Sequence, residues 1–186
     1  KMEALKFFGL TGERKTVLIV GGSLGARSIN EALDKGLDSL LENNLQVIWQ
    51  TGKTYKPAAG QQTGNKKNVW VGDFITKMEN GYAAADMVIS RAGAMAIAEL
   101  CVVKKPVLFV PYPFAAEDHQ TVNAMNLVKK NAALMVKDSE AKEKMISMII
   151  ALSKNEEQQN ELKQNIGQYA VVNADEVIAN EIFKTI

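Results

Sequence analysis

The segment Asp86–Glu99, DMVISRAGAMAIAE, brings together residue types that can hold an anionic ligand. Met87–Ser90 has the apolar character of a short buried strand, Ala92–Ala94 is a tight Gly/Ala turn, and a helix opens at about Met95. A strand feeding a small-residue turn and then a helix gathers unpaired backbone N–H groups at the positive end of a helix dipole, where a phosphate docks. Glu99, about a turn further on, is a carboxylate that can accept both hydroxyls of a ribose. The combination points to a nucleotide.

A second loop, Gly21-Gly22-Ser23-Leu24-Gly25-Ala26, could cradle phosphate, its glycines letting the backbone approach an anion and Ser23 adding a hydroxyl. Glycines at those positions equally suit a tight strand-to-helix turn. The dinucleotide fingerprint is not met, and Thr51-Gly52-Lys53 stands after the second strand where an acidic residue would bind a ribose. The Walker pattern fails as well, since Lys-Ser/Thr does not follow Gly25. Glu99 sits among Ala96, Ile97, Ala98, Leu100 and Cys101, so apolar surroundings are expected for it, and its charge must be solvated, paired with a Lys or Arg, or bound to a ligand. His119 and Asn123 share a helical face with Gln120 beside them, and no cluster with metal-ligand spacing surrounds that histidine. Arg27 and Arg91 are candidates to meet phosphate, against the ordinary alternative of solvated or structural arginines. Cys101, in an apolar helical context, reads as a buried structural residue.

The elements that must position these residues alternate along the chain. Strands are expected at Thr16–Gly21, Leu45–Thr51, Val69–Phe74, Met87–Ser90, Pro106–Val110 and Ala133–Val136. Helices are expected over Ala26–Glu42, Met78–Ala85, Met95–Val103, Gln120–Asn131, Glu140–Leu152 and Glu156–Tyr169, with a less defined one in Gly52–Asn65 and a last one over Ala174–Ile186. Strands spaced by helices imply parallel βαβ units with right-handed crossovers, and so a doubly wound α/β domain with a six-stranded Rossmann-like sheet. Ligands of such sheets bind beyond the carboxyl ends of the strands. Gly21–Arg27, Asp73–Ile75, Ser90–Ala94 and Glu117–Asn123 all follow strands, so four loops should meet on one rim.

Composition excludes several classes. The 186 residues carry a formal net charge of +1 with dispersed Lys and Arg, which gives no electrostatic case for nucleic acid. Apolar runs such as Val107–Val110 and Ile146–Leu152 fall short of the roughly 18 residues a membrane span needs. A single cysteine leaves no room for an internal disulfide and fits a cytoplasmic setting.

GGSLGAR (Gly21–Arg27), VWVGDFITKM (Val69–Met78), SRAGAMAIAEL (Ser90–Leu100), PVLFVPYPFAAEDHQTVNA (Pro106–Ala124) and ALKFFGL (Ala4–Leu10) together resemble the C-terminal half of the MurG family. These are N-acetylglucosaminyltransferases of bacterial peptidoglycan synthesis. The resemblance covers nearly the whole chain, in order and spacing. It implies the C-terminal domain of a two-domain GT-B glycosyltransferase, here residues 1–186, with 1–12 as a linker remnant and 174–186 as a C-terminal helix. The donor it implies is UDP-N-acetylglucosamine (UDP-GlcNAc). By matching position, Gly22 and Ser23 would contact the diphosphate, and Ile75 would offer backbone groups to the uracil. Ala94, Met95 and Ala96 would place N–H groups near the phosphates, and Glu99 would hold the ribose hydroxyls. Gln120 and Asn123 would meet the N-acetylglucosamine, His119 fills a position that is commonly Gln or His, and Arg91 stands beside the site.

The family's N-terminal domain has no counterpart in the chain. With it go the acceptor site for the muramyl lipid (lipid I), the membrane-facing patch, the general base and a linker arginine that would precede Lys1. The catalytic group is therefore expected outside these residues, and membrane contact at the inner face of the cell membrane only through that other domain. No protein-held metal or other cofactor is expected, while a divalent cation accompanying the nucleotide stays open. Two other readings stand beside this one: a stand-alone donor subunit of a two-chain transferase, and a non-catalytic or NAD-type Rossmann binding module.

Overall fold

The computed structural model describes residues 1–64 and 66–185. Two expected segments end on Asn65 and Ile186, which lie outside the described residues. Six apolar runs form the strands β1 (Lys15–Val20), β2 (Leu45–Gln50), β3 (Val69–Gly72), β4 (Met87–Ser90), β5 (Val107–Phe109) and β6 (Leu134–Met135). All pairings are parallel, in the order β3-β2-β1-β4-β5-β6. The direction of winding reverses between β1 and β4, the position at which open α/β sheets leave a crevice.

Alternate strand residues feed two cores, as the period of two requires. Val17 and Ile19 of β1, Val47 and Trp49 of β2, and Met87 and Ile89 of β4 pack one way. They meet α2 (Arg27–Glu42), α3 (Lys56–Thr63) and α7 (Ala141–Lys154) through Ile29, Leu33, Leu37, Ala59, Met145 and Ile149. Leu18, Ile48, Val88, Val107 and Phe109 pack the other way. Their partners are α1 (Met2–Phe7), α4 (Met78–Ala84), α5 (Ala94–Val103) and α6 (His119–Val128), through Leu5, Ala84, Leu100 and Leu127. The helix α8 (Glu156–Gly167) gives Leu162 to the first core and Ile166 to the second.

Several boundaries differ from the expected ones for physical reasons. Asp73 and Phe74 leave the sheet after Gly72, because the partner strand β2 ends opposite it at Gln50 and turns at Gly52, whose N–H still donates to the Asp73 carbonyl at 3.1 Å. The opening segment read as a linker remnant contains α1, with Leu5 and Phe8 buried and the Phe8 ring edge-on to Trp70 at 5.0 Å. The last helix, α9 (Ala174–Phe183), buries no residue and leaves Val177, Ile178, Ile182 and Phe183 exposed.

Candidate functional site

Each strand end hands the chain to a loop at one rim, and these loops enclose a cleft of about 980 Å³. Gly21–Ser28 follow β1, Phe74 and Ile75 follow β3, Ser90, Arg91 and Gly93 surround the end of β4, and Tyr112–Phe114 with Gln120 follow β5. The four expected loops do converge.

The loop after β1 keeps its shape through backbone contact. Gly22 and Gly25 lie at φ +86° and +79°, and the Gly25 N–H donates to the Gly22 carbonyl at 3.0 Å. A Cβ on Gly25 would stand 2.0 Å from the Thr51 carbonyl oxygen, so only glycine lets this loop lie against the end of β2. The chain then enters α2 from Ala26, with neither a side-chain cap nor an acidic residue in the first turn. The helix α5 starts the same way from Gly93. Ala94 and Met95 are exposed in its first turn, and Ala96 lines the cleft. Two helix N-termini thus reach the cleft with N–H groups that no side chain of their own caps.

Both arginines of the cleft are already paired. Arg27 holds Glu31, four residues on and in solvent, at 2.6 Å; that contact pulls the Glu31 carboxyl down and pushes the Arg27 guanidinium up. Arg91 is more enclosed. Its guanidinium donates to the carbonyls of Val110 at 2.9 Å and Pro111 at 3.0 Å, to the Ser28 hydroxyl at 3.2 Å, and to Asp138 in an ion pair. It also stacks over Tyr112. Arg91 therefore ties the ends of β4 and β5 to the start of α2, and its charge is offset by Asp138.

The structure corrects the expectation for Glu99. Its carboxylate is exposed at the cleft, not set in apolar surroundings, and it accepts from the Tyr82 hydroxyl at 2.7 Å in place of a Lys or Arg. The reason is that α5 is apolar almost all round, so neighbouring residue types do not say which face meets the sheet; Leu100 and Cys101 do. Burial, and then the Glu99 bond, push the Tyr82 hydroxyl well above the usual tyrosine range, so it stays a donor. Burial also pushes the Cys101 thiol up, as suits a structural residue.

Of the residues expected at the site, Gly22, Ser23, Ile75, Ala96, Glu99 and Gln120 line the cleft. Gln120 uses its amide oxygen to accept from the Ala92 N–H at 3.2 Å and the Tyr112 N–H at 3.0 Å. The Asn123 amide donates to the Ala92 carbonyl at 3.3 Å. These two side chains hold the turn before α5 at the two backbone polar groups of one residue, Ala92, and Asn123 is not among the residues that line the cleft. His119 is exposed at the first residue of α6, with Nδ1 at 2.7 Å from the Ala116 carbonyl. A carbonyl only accepts, so Nδ1 carries the hydrogen and Nε2 is left as an acceptor in the neutral ring.

Gln50, Tyr82, Tyr112 and Phe114 were not singled out from the sequence, though all line the cleft. The available signal for Gln50 was a polar residue closing a strand, LQVIWQ, that is otherwise nearly all apolar. Among the described residues, no three His, Cys, Asp or Glu side chains gather as a metal site would need.

The profile of the Glycosyltransferase family 28 C-terminal domain matches residues 16–179. The chain belongs to this family. The family 28 domain is 49% identical over 185 residues to the UDP-N-acetylglucosamine--N-acetylmuramyl-(pentapeptide) pyrophosphoryl-undecaprenol N-acetylglucosamine transferase of Phocaeicola vulgatus. That alignment covers 98% of this chain and 49% of the relative. The protein of the same name from Parabacteroides distasonis is 46% identical, over 100% of this chain and 51% of its own length. Among solved structures, the domain superimposes on the Acinetobacter baumannii MurG crystal structure with a TM-score of 0.80 and 30% identity, covering 92% of this chain and 52% of that one. The chain thus spans about half the length of the relatives it matches, and its GT-B half-fold is the one expected.

Proposed function

We propose that this domain binds the UDP-GlcNAc donor of a glycosyltransferase that transfers N-acetylglucosamine to lipid I, giving lipid II. The observation that carries the proposal is the convergence of the two uncapped helix N-termini of α2 and α5 on a cleft that also holds Glu99 and Ile75. In this reading the diphosphate lies between Gly22–Ser23 and the N–H groups of Ala94–Ala96. The ribose hydroxyls donate to Glu99, held in place by Tyr82, and the uracil meets the backbone at Ile75. The side-chain nitrogen of Gln120 is left for the sugar, since its oxygen is engaged with Ala92 and Tyr112.

Catalysis by this half is then leaving-group stabilisation. As an acceptor hydroxyl displaces UDP from the anomeric carbon with inversion, negative charge grows on the diphosphate, and fixed dipoles aimed at it lower the barrier. The general base, the lipid acceptor site and the contact with the inner face of the membrane belong in this reading to the other half of a full-length protein. No described helix of this chain is long and apolar enough to cross a membrane. An NAD-type module is disfavoured by the end of β2, where Gln50-Thr51-Gly52 offers no carboxylate to a ribose.

Titration calorimetry with UDP-GlcNAc, UDP-glucose and NADH, each with and without EDTA, tests the proposal. Binding should rank UDP-GlcNAc first and survive EDTA. Preference for NADH would overturn the donor reading, equal affinity for both UDP-sugars would overturn the N-acetylglucosamine assignment, and loss on chelation would give the nucleotide's charge to a cation.

A further inference from the structure

We infer that Gln50 is a positioning residue: its buried side-chain amide joins the loop after β1 to the turn after β3, so that the phosphate and base subsites form as one unit. The inference rests on the donor-binding reading above and goes beyond it. Gln50 closes β2 in register with Val20 of β1 and Gly72 of β3, at the rim of the sheet, and is only 5% exposed. A primary amide so enclosed needs partners at both ends. Its Nε2 donates to the Gly22 carbonyl at 3.0 Å, and its Oε1 accepts from the Ile75 N–H at 2.9 Å. A carbonyl accepts only and an N–H donates only, so these partners fix which way the amide faces.

The backbone of Thr51–Gly52 also lies between the two loops, packed on Leu24 and Gly25 and bonded to Gly72 and Asp73, but Gln50 is the side chain that hydrogen-bonds to both Gly22 and Ile75. Nothing stands within 4 Å of where a Gly22 Cβ would be, so packing does not set that peptide on its open side. Its carbonyl is held by two donors, the Gly25 N–H and Gln50. A donor amide that pulls on this carbonyl turns the neighbouring peptide units of the loop; the same amide sets where the Ile75 backbone sits. One side chain thus transmits the position of one subsite to the other.

Gln46 supplies the control, being on the same strand and 0% exposed. Its amide serves Thr11, Arg14 and Thr16 at the far end of β2, away from the cleft. Three variants of this chain, Gln50→Met, Gln50→Glu and Gln46→Met, are compared by thermal melting and by calorimetry with UDP-GlcNAc. Gln50→Met, which loses both bonds, should weaken binding about tenfold or more. Gln50→Glu keeps an acceptor for Ile75 but sets a carboxylate oxygen against the Gly22 carbonyl and a buried negative charge beside the diphosphate subsite, so its dissociation constant should rise at least as much as that of Gln50→Met. Gln46→Met should lower the melting temperature and leave the dissociation constant within about twofold. An unchanged dissociation constant in either folded Gln50 variant, or an equal loss in Gln46→Met, would overturn the inference while the donor reading stands. No UDP-GlcNAc binding by the unsubstituted chain would overturn both.

Discussion

Glu99 illustrates how little a residue's neighbours in sequence say about its environment. Flanked by apolar residues, it nevertheless faces the cleft, and the partner that orients it is a tyrosine on another helix. Glu99→Ala should weaken UDP-GlcNAc binding by about 1–3 kcal/mol, the usual range for losing a charged hydrogen-bonding partner; calorimetry reads it directly, and an unchanged dissociation constant would remove Glu99 from the site. A second residue governs stability instead. Tyr55 donates to Asp34 at 3.1 Å, and burial together with that bond pushes its hydroxyl from about 10 up to about 12. The folded chain therefore holds this proton more tightly than the unfolded one. The stabilisation is complete below the unfolded value and is lost as pH rises through the folded one, between about pH 10 and 12. Tyr55→Phe should flatten that part of the stability curve in denaturant titrations across this range.

At the scale of elements, strand identity was legible because parallel strands covered on both faces read as continuous apolar runs. TVLIV is such a run between polar and glycine residues, whereas MVI owes its assignment to the small-residue turn that follows it, since the equally apolar MII (148–150) lies inside α7. Strand ends were less so: Asp73–Phe74 look extended in sequence but lie past Gln50, where the partner strand β2 ends. The six residues of α1 were missed, since they complete fewer than two turns and are held by packing of Leu5 and Phe8, which local pattern does not reveal. Glycine spacing marked the loop after β1, yet could not show that Gly25 is fixed by the facing end of β2. That difference is measurable. Gly25→Ala places a methyl 2.0 Å from the Thr51 oxygen at a positive φ and should cost about 3 kcal/mol or more. Gly22→Ala meets open space, keeps only the backbone strain, and should cost about 1 kcal/mol. Equal losses in chemical denaturation would show that contact with Thr51 does not decide the requirement.

For the whole molecule, the alternation of strands and helices sufficed to derive a doubly wound parallel sheet and the rim on which function would lie, because right-handed crossovers leave few other arrangements; the strand order β3-β2-β1-β4-β5-β6 is legible only in the structure. What pattern alone could not supply were the long-range side-chain bonds that shape the rim. Gln50 to Gly22 and Ile75, Arg91 to Asp138 and Ser28, and Gln120 with Asn123 to Ala92 all join residues distant in sequence. The central claim is that loops from four strand ends act together as one cradle for a UDP-linked sugar. Backbone amide NMR of the chain titrated with UDP-GlcNAc tests it most directly. Signals of Gly22–Gly25, Ile75, Ala94–Ala96, and Tyr112 with Gln120 should move together along a single saturating curve; shifts confined to α7 and α8, or distinct curves for the separate loops, would contradict it.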